Sequence, residues 1–326
     1  MKKLHVLMLC AAVLLLSVVG VQAKQVVTFS GVYASGEAAV DVQFKFKELL
    51  EERSNGEFEV RVIIGSAMGG ERDHFEAASQ GALELIAMGS GDVALFENQL
   101  SYNEIPFVIR DRDHWFAYWE NVGAEINEEI LKKYGVRTLG VMYRGPRYLT
   151  SNRPVYSLAD MKGLRLRLPE NQVQIRIFQG LGASPIPIAF HEVYSALQTG
   201  IAEAQENPIM SIYGYKFHEV QKYLVATKHI FSTAKFQAAE SWFSTLTPDQ
   251  QKLVEECMEE AVAYGNSLVM DRERELMEEI MASGMVYIEP PELDLEGIRA
   301  QALAIVGEMV EEGLFRKDLY EKVLEL

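Results

Sequence analysis

Apolar residues recur along this chain with two alternating periods, and the alternation predicts an α/β protein. Val26-Val27-Thr28-Phe29 reads as a short buried strand. Glu37 to Ser54 places Val42, Phe46, Leu49 and Leu50 on one helical face, and Asn55-Gly56 stops that helix. Phe58, Val60, Val62 and Ile64 then alternate with polar neighbours as a half-buried strand does, up to Gly65. A helix from Glu71 to Gln80 leads through Gly81 to a third apolar strand, Leu83 to Met88. This βαβαβ order predicts a mostly parallel sheet whose ligands sit beyond the carboxyl ends of the strands. The loops after Phe29, Ile64 and Met88 are therefore the expected site loops.

Asp113 to Tyr134 reads as a second long helix and Val136 to Tyr143 as a strand, followed by a turn at Gly145-Pro146 that carries Arg147. From there the pattern restarts. Gly163 to Pro169 alternates strictly, with Leu164, Leu166 and Leu168 on one face and Arg165 and Arg167 on the other. Gln172 to Leu181 is helical. Thr247-Pro248-Asp249-Gln250 is a helix start with a threonine cap, proline in the first turn and a glutamine placed to reach back. The apolar stripe that follows continues to Ser283-Gly284. A helix of roughly 30 residues spans about 45 Å, longer than one lobe, so it is expected to tie two lobes together. No repeat, low-complexity tract or flexible linker separates domains, which implies that they share the chain by crossing over more than once.

The amino terminus adds a destination. Lys2 and Lys3 precede an apolar run from Leu4 to Val19, and Val21-Gln22-Ala23 offers a small-residue cleavage pattern, so residues 1–23 read as a cleavable export signal. Without the two lysines the chain carries 29 basic and 47 acidic side chains, and its formal net charge moves from −16 to −18. Such a surface repels polyanions, so nucleic acid and anionic lipid are not expected partners. Cys10 leaves with the signal. Cys257 alone remains, on an apolar helical face, so no intrachain disulfide is expected.

Catalytic motifs are missing. The sequence has no Walker loop, no G-x-G-x-x-G, no G-x-S-x-G elbow, no H-E-x-x-H and no C-x-x-C. Its histidines have no metal-ligand spacing, and neither metal nor cofactor is expected. Glu192 and Glu206 are the carboxylates an enzyme reading would use; an early helix position and a Glu-Asn-Pro turn explain them better.

Several segments carry a resemblance. They are Ser151-Asn152-Arg153-Pro154, Leu158 through Arg167, Gly182-Ala183-Ser184-Pro185, Phe190 through Gly200, Gln205-Glu206-Asn207-Pro208 and Glu219 through Tyr223. In order and spacing they closely resemble the DctP-type substrate-binding proteins of TRAP transporters. The resemblance implies a two-lobed periplasmic binding protein of type II character, with hinge strands and a long helix spanning both lobes. The first lobe is expected over 24–144 and 233–272, the second over 145–232 and 273–326. The implied role is to capture a small organic acid in the periplasm and deliver it to integral membrane permease subunits; a sensor of the same fold is the alternative. It further implies that Arg167 grips the ligand carboxylate as a fork, that Arg147 assists, that Asn207 bonds the same end and that Phe190 packs on the ligand body.

The chemistry suits those assignments, because a guanidinium presents parallel donors that match the two oxygens of a carboxylate and keeps its charge. Arg165, on the same strand face, is expected at the rim. Relatives that bind sialic acid place polar side chains where this chain has Val32 and Gly89, flanked by Tyr33 and Ser90. Loss of those anchors predicts a monocarboxylate with an apolar or aromatic body, stacked on Phe190 with Tyr33 or Tyr213.

Overall fold

A computed structural model describes residues 24–326, and the expected export signal at 1–23 lies outside the described residues. Strand β1 (Gln25–Gly31) runs parallel to both β2 (Phe58–Ile63) and β3 (Leu85–Met88), as the opening βαβαβ pattern requires. Helices α1 (Ala38–Arg53) and α2 (Glu71–Ser79) make the two crossovers. Val42, Phe46, Leu49 and Leu50 of α1 are buried, and Phe29 meets Phe46 edge-on at 5.5 Å. The helix expected over Asp113–Tyr134 is present from Arg112 to Tyr134, interrupted by one π turn at Trp119–Gly123.

Strand β4 (Val136–Ser151) departs from expectation. It runs sixteen residues without a terminal turn at Gly145-Pro146, so Arg147 lies inside a strand. Its first half pairs antiparallel with β9 (Phe231–Ala239), and its second half pairs with β7 (Ala204–Pro208) and β8 (Tyr223–Val225). Strands β5 (Arg165–Leu168) and β6 (Ser184–Pro187) continue beyond β7, giving the order β2-β1-β3-β9-β4-β7-β5-β6. A last strand, β10 (Val286–Ile288), pairs with β8. The two halves of the molecule thus share β4 and β9 as continuous rails. The pairing slips between Tyr143 and Pro146, where Gly145 takes φ +87°. A glycine tolerates that left-handed conformation without Cβ strain.

Helix α3 (Gln172–Gly180) begins at Asn171, whose side chain caps Val173 and Gln174. Helix α4 (Pro248–Ala282) is 35 residues long and starts with the capping box read from Thr247 and Gln250. At 1.5 Å per residue it spans about 52 Å. It packs on α1 so closely that a Cβ at Gly265 would lie 2.4 Å from a methyl of Val42. Cys257 is fully buried on this helix. Helix α5 (Leu295–Glu311) packs on α3. Helix α6 (Lys317–Glu325) packs elsewhere. The carbonyl of Arg316 accepts from Tyr102, its guanidinium meets Glu125 and Glu129, and the carbonyl of Val323 lies 2.8 Å from His114 Nε2. The chain end therefore returns to the residues expected in the first lobe, because the apolar face of α6 finds its cover there. No described helix is long and apolar enough to cross a membrane.

Candidate ligand-binding site

A cavity of about 250 Å³ opens between the two halves, under the carboxyl ends of β1, β3 and β5. Val32, Tyr33, Gly89, Ser90, Arg147, Arg167, Phe190 and Asn207 all line it, drawn together from distant parts of the sequence. Tyr213 does not. Its ring stacks on His218 at 5.0 Å, away from the cavity, because the helix Ile209–Gly214 turns Ile209 and Ile212 inward instead. Tyr215, two residues on, is the aromatic neighbour of Phe190, with ring centres 4.5 Å apart.

Arg167 owes its position to strand alternation. Leu166 and Leu168 are buried in the sheet core, and the Arg167 side chain leaves the other face and is only 2% exposed. Its Nε and Nη2 both donate to the carbonyl of Ile188, at 2.9 and 2.7 Å, and its guanidinium lies 5.7 Å from the Phe190 ring centre. No carboxylate of the described residues pairs with it. Burial without a counter-charge pushes this arginine down to about 10, so it remains a cation at neutral pH. Arg165, two residues earlier, is exposed and pairs with Glu203 at 3.0 Å outside the cavity.

Arg147 is different. Its Nη2 donates to Glu206 Oε1 at 2.6 Å and to the Glu206 carbonyl at 2.7 Å, its Nε also meets Glu206, and Nη1 reaches Ser232 at 3.2 Å. Glu206 therefore stands in strand β7 as the counter-charge of Arg147, rather than in the expected turn. Burial raises its carboxyl, but Arg147 and the 3.0 Å contact from His229 more than offset that and hold it at about 2. Arg147 frames the cavity with its charge already matched. Asn207 donates to Gln205 at 2.6 Å, and Gln205 in turn donates to Thr150 at 2.8 Å, a chain that fixes the amide while leaving it a second hydrogen.

Further charged wall residues escaped the sequence reading, Arg144, Glu71 and Glu104 among them. Arg144 reaches the cavity because the register slip at Gly145 lets residues 144 and 147 face the same side, which an unbroken strand forbids. It donates to Glu37 at 2.5 Å and Ser211 at 2.7 Å, and its guanidinium lies 4.4 Å from the Tyr33 ring centre. Glu71 begins α2 in the loop region after Ile64, and its Oε1 accepts from Gly89 N at 2.6 Å. Glu104 precedes the Ile105-Pro106-Phe107 segment and accepts from Gln174 at 3.0 Å and Asn103 at 3.2 Å. Burial raises the Glu71 carboxyl and pushes Glu104 up to about 7. The Glu104 to Gln174 bond, the Arg72 to Glu170 pair at 3.3 Å and the Tyr215 hydroxyl on the Val32 carbonyl bridge the two walls across the opening.

Comparison with known proteins agrees with this architecture. A solved TRAP periplasmic solute-binding protein of Bordetella, with density assigned as pantoate, superimposes with a TM-score of 0.86 at 26% identity over 92% of this chain and 99% of that one. Another, from Roseobacter denitrificans with bound L-galactonate, gives a TM-score of 0.82 at 28% identity over 90% and 99% of the two chains. A sialic acid-binding periplasmic protein of Vibrio cholerae is 32% identical over 77% of this chain and 78% of its own. Residues 29–313 match the DctP family, the bacterial extracellular solute-binding proteins of family 7. With a match of that extent and a shared two-walled architecture, the chain belongs to the DctP family of TRAP solute-binding proteins.

Proposed function

We propose that this protein captures a small organic carboxylate in the periplasm and hands it to the membrane permease of a TRAP-type transporter. The observation that carries the reading is the Arg167 guanidinium, buried against the cavity with a backbone carbonyl on one edge and no carboxylate of the described residues on the other. An unpaired buried cation costs several kcal/mol, and an anionic ligand removes that penalty. The names of relatives support the class of ligand: those proteins bind sialic acid, L-galactonate or a molecule assigned as pantoate. The finer reading is a monocarboxylate with an apolar or aromatic body, for which Val32, Ala94, Leu95, Ile188 and Phe190 supply an apolar lining. Glu71 and Glu104 oppose a second carboxylate in the same space.

In this reading the lobes comprise 24–144 with 233–272 and 145–232 with most of 273–326, α6 moving with the first. Strands β4 and β9 and helix α4 act as the hinge, and closure presents the shape a permease recognises. Turnover of the ligand is not part of the proposal. Glu206 is held ionised by Arg147, which makes it a poor proton donor, and Glu192 is exposed and outside the cavity lining.

The test is native purification followed by mass spectrometry of what denaturation releases, with a thermal-shift series of carboxylic acids alongside. A carboxylate is expected, recovered chemically unchanged, and at about 100 times its Kd it should stabilise the protein by ~2.7 kcal/mol. A released cation or neutral sugar, with no acid shifting the melting curve, would remove the proposal.

A further inference from the structure

The charges around the cavity do not balance for a plain acid. Arg144 is matched by Glu37, Arg147 by Glu206 and Arg72 by Glu170, so among the described residues Arg167 is the wall cation left without a carboxylate. Opposite stand two carboxyls, Glu71 and Glu104, and neither forms a salt bridge with a lysine or arginine among the described residues. Of the neighbouring charges, Arg72 pairs with Glu170 and Glu76 and Asp92 with Lys235, while Asp73 accepts from the Gly70 N–H and adds a further carboxyl without a salt bridge among the described residues. A monocarboxylate on Arg167 cancels that cation and leaves Glu71 and Glu104 facing it, neither of them paired with a lysine or arginine among the described residues.

A hydroxyl offers that wall a dipole; an ammonium offers it the missing charge together with three donors. The acceptor side is open, since Glu71 Oε1 takes one backbone N–H and Oε2 takes no hydrogen bond from the described residues. We propose that the cleft selects a zwitterion: a small aminocarboxylate with an apolar body, its acid group on Arg167 and its ammonium against Glu71, with Glu104 beside it. Burial raises the pKa of both glutamates, so a cationic group brought against them is favoured over leaving their charges unmatched. This inference rests on the carboxylate-receptor reading above and narrows it.

Matched triplets test it. Binding is measured by calorimetry near neutral pH for leucine, 2-hydroxy-4-methylpentanoate and 4-methylpentanoate, and for phenylalanine, phenyllactate and 3-phenylpropionate. A third set is 4-aminobutyrate, 4-hydroxybutyrate and butyrate. In whichever triplet binds most tightly, the amino member should exceed both others by at least about tenfold. Glu71→Gln, which keeps an acceptor for the Gly89 amide, should collapse that ratio to below about threefold. Hydroxy or plain acids binding as tightly as the amino member would overturn the zwitterion while leaving the receptor reading intact. Failure of every acid to bind would overturn both. Should Glu71→Gln not fold, the ratios of the unaltered protein decide alone.

Discussion

Arg147 and Arg167 sit in one cavity, on strands of one sheet, yet the molecule treats them in opposite ways. Arg147 is saturated: carboxylate, carbonyl and hydroxyl all accept from it, and its partner carboxyl falls to about 2. Arg167 is given a single carbonyl and is itself pushed down to about 10. A buried cation with a resident counter-charge is a structural part, whereas one without it is the cation our proposal assigns to the ligand. The difference teaches that residue type and burial alone do not separate a paired arginine from an unpaired one. The charge balance around it does.

Breaking the Arg147 side should have the largest effect on folding. Glu206→Gln strands the Arg147 charge inside the sheet, and a loss of about 3–5 kcal/mol in unfolding free energy is expected by denaturant titration. The same pair sets an acid limit. Because the folded carboxyl is depressed to about 2, below the ordinary carboxylate value, its stabilisation is complete above the unfolded value and disappears as pH falls between the two. A variant with unchanged stability would show that Arg147 is as free as Arg167.

Breaking the Arg167 side should leave folding intact and abolish affinity. Arg167→Ala is expected to weaken carboxylate binding by about two to three orders of magnitude, measured by calorimetry, since about 3–4 kcal/mol of charge-assisted contact is lost. Its unfolding free energy should hold steady or rise, because an unpaired buried charge has been removed. Loss of stability with affinity retained would exchange the roles of the two arginines.

Glu104 sharpens the comparison from the opposite wall. Its folded value, about 7, lies above the ordinary carboxylate value, so its contribution is present in acid and is lost as pH rises through 7. Glu104→Gln should therefore stabilise the unliganded protein above neutral pH by on the order of 1–2 kcal/mol, discounted for its partial exposure, and leave it unchanged near pH ~4. Melting temperatures across that range check the sign, which is the reverse of that for Glu206.

How far these contrasts could be read in advance depends on the range of the interactions. Local signals were legible: the period of two over Phe58–Ile64, the capping box at Thr247 and the face of Arg167 all follow from neighbours in sequence. The family motifs named Arg147, Asn207 and Phe190 as cavity residues. What stayed hidden was long-range. The Glu206 partner of Arg147 is 59 residues away, and the register slip that turns Arg144 inward needs the pairing with β9 before it exists. The docking of α6 depends on His114 and Glu129, whose distance from Val323 and Arg316 no local pattern records. Tyr213 was placed in the site by its type; its helix rotates it toward His218.

Arg165 gives the smallest effect and the cleanest control. It shares a strand, a face and a charge with Arg167, so any account based on the electrostatic field of the whole strand predicts that both matter. The contact account predicts otherwise, since Arg165 meets Glu203 at 3.0 Å with half its side chain in solvent, where screened pairs contribute about 0–1 kcal/mol. Arg165→Ala should change affinity by less than about threefold and leave the binding enthalpy of the carboxylate intact. A loss approaching that of Arg167→Ala would mean that long-range attraction holds the ligand, and the distinction between a matched and an unmatched cation would no longer explain the site. The −16 formal charge of the chain already argues against that outcome, because the global field repels anions and leaves contact as the attractive force.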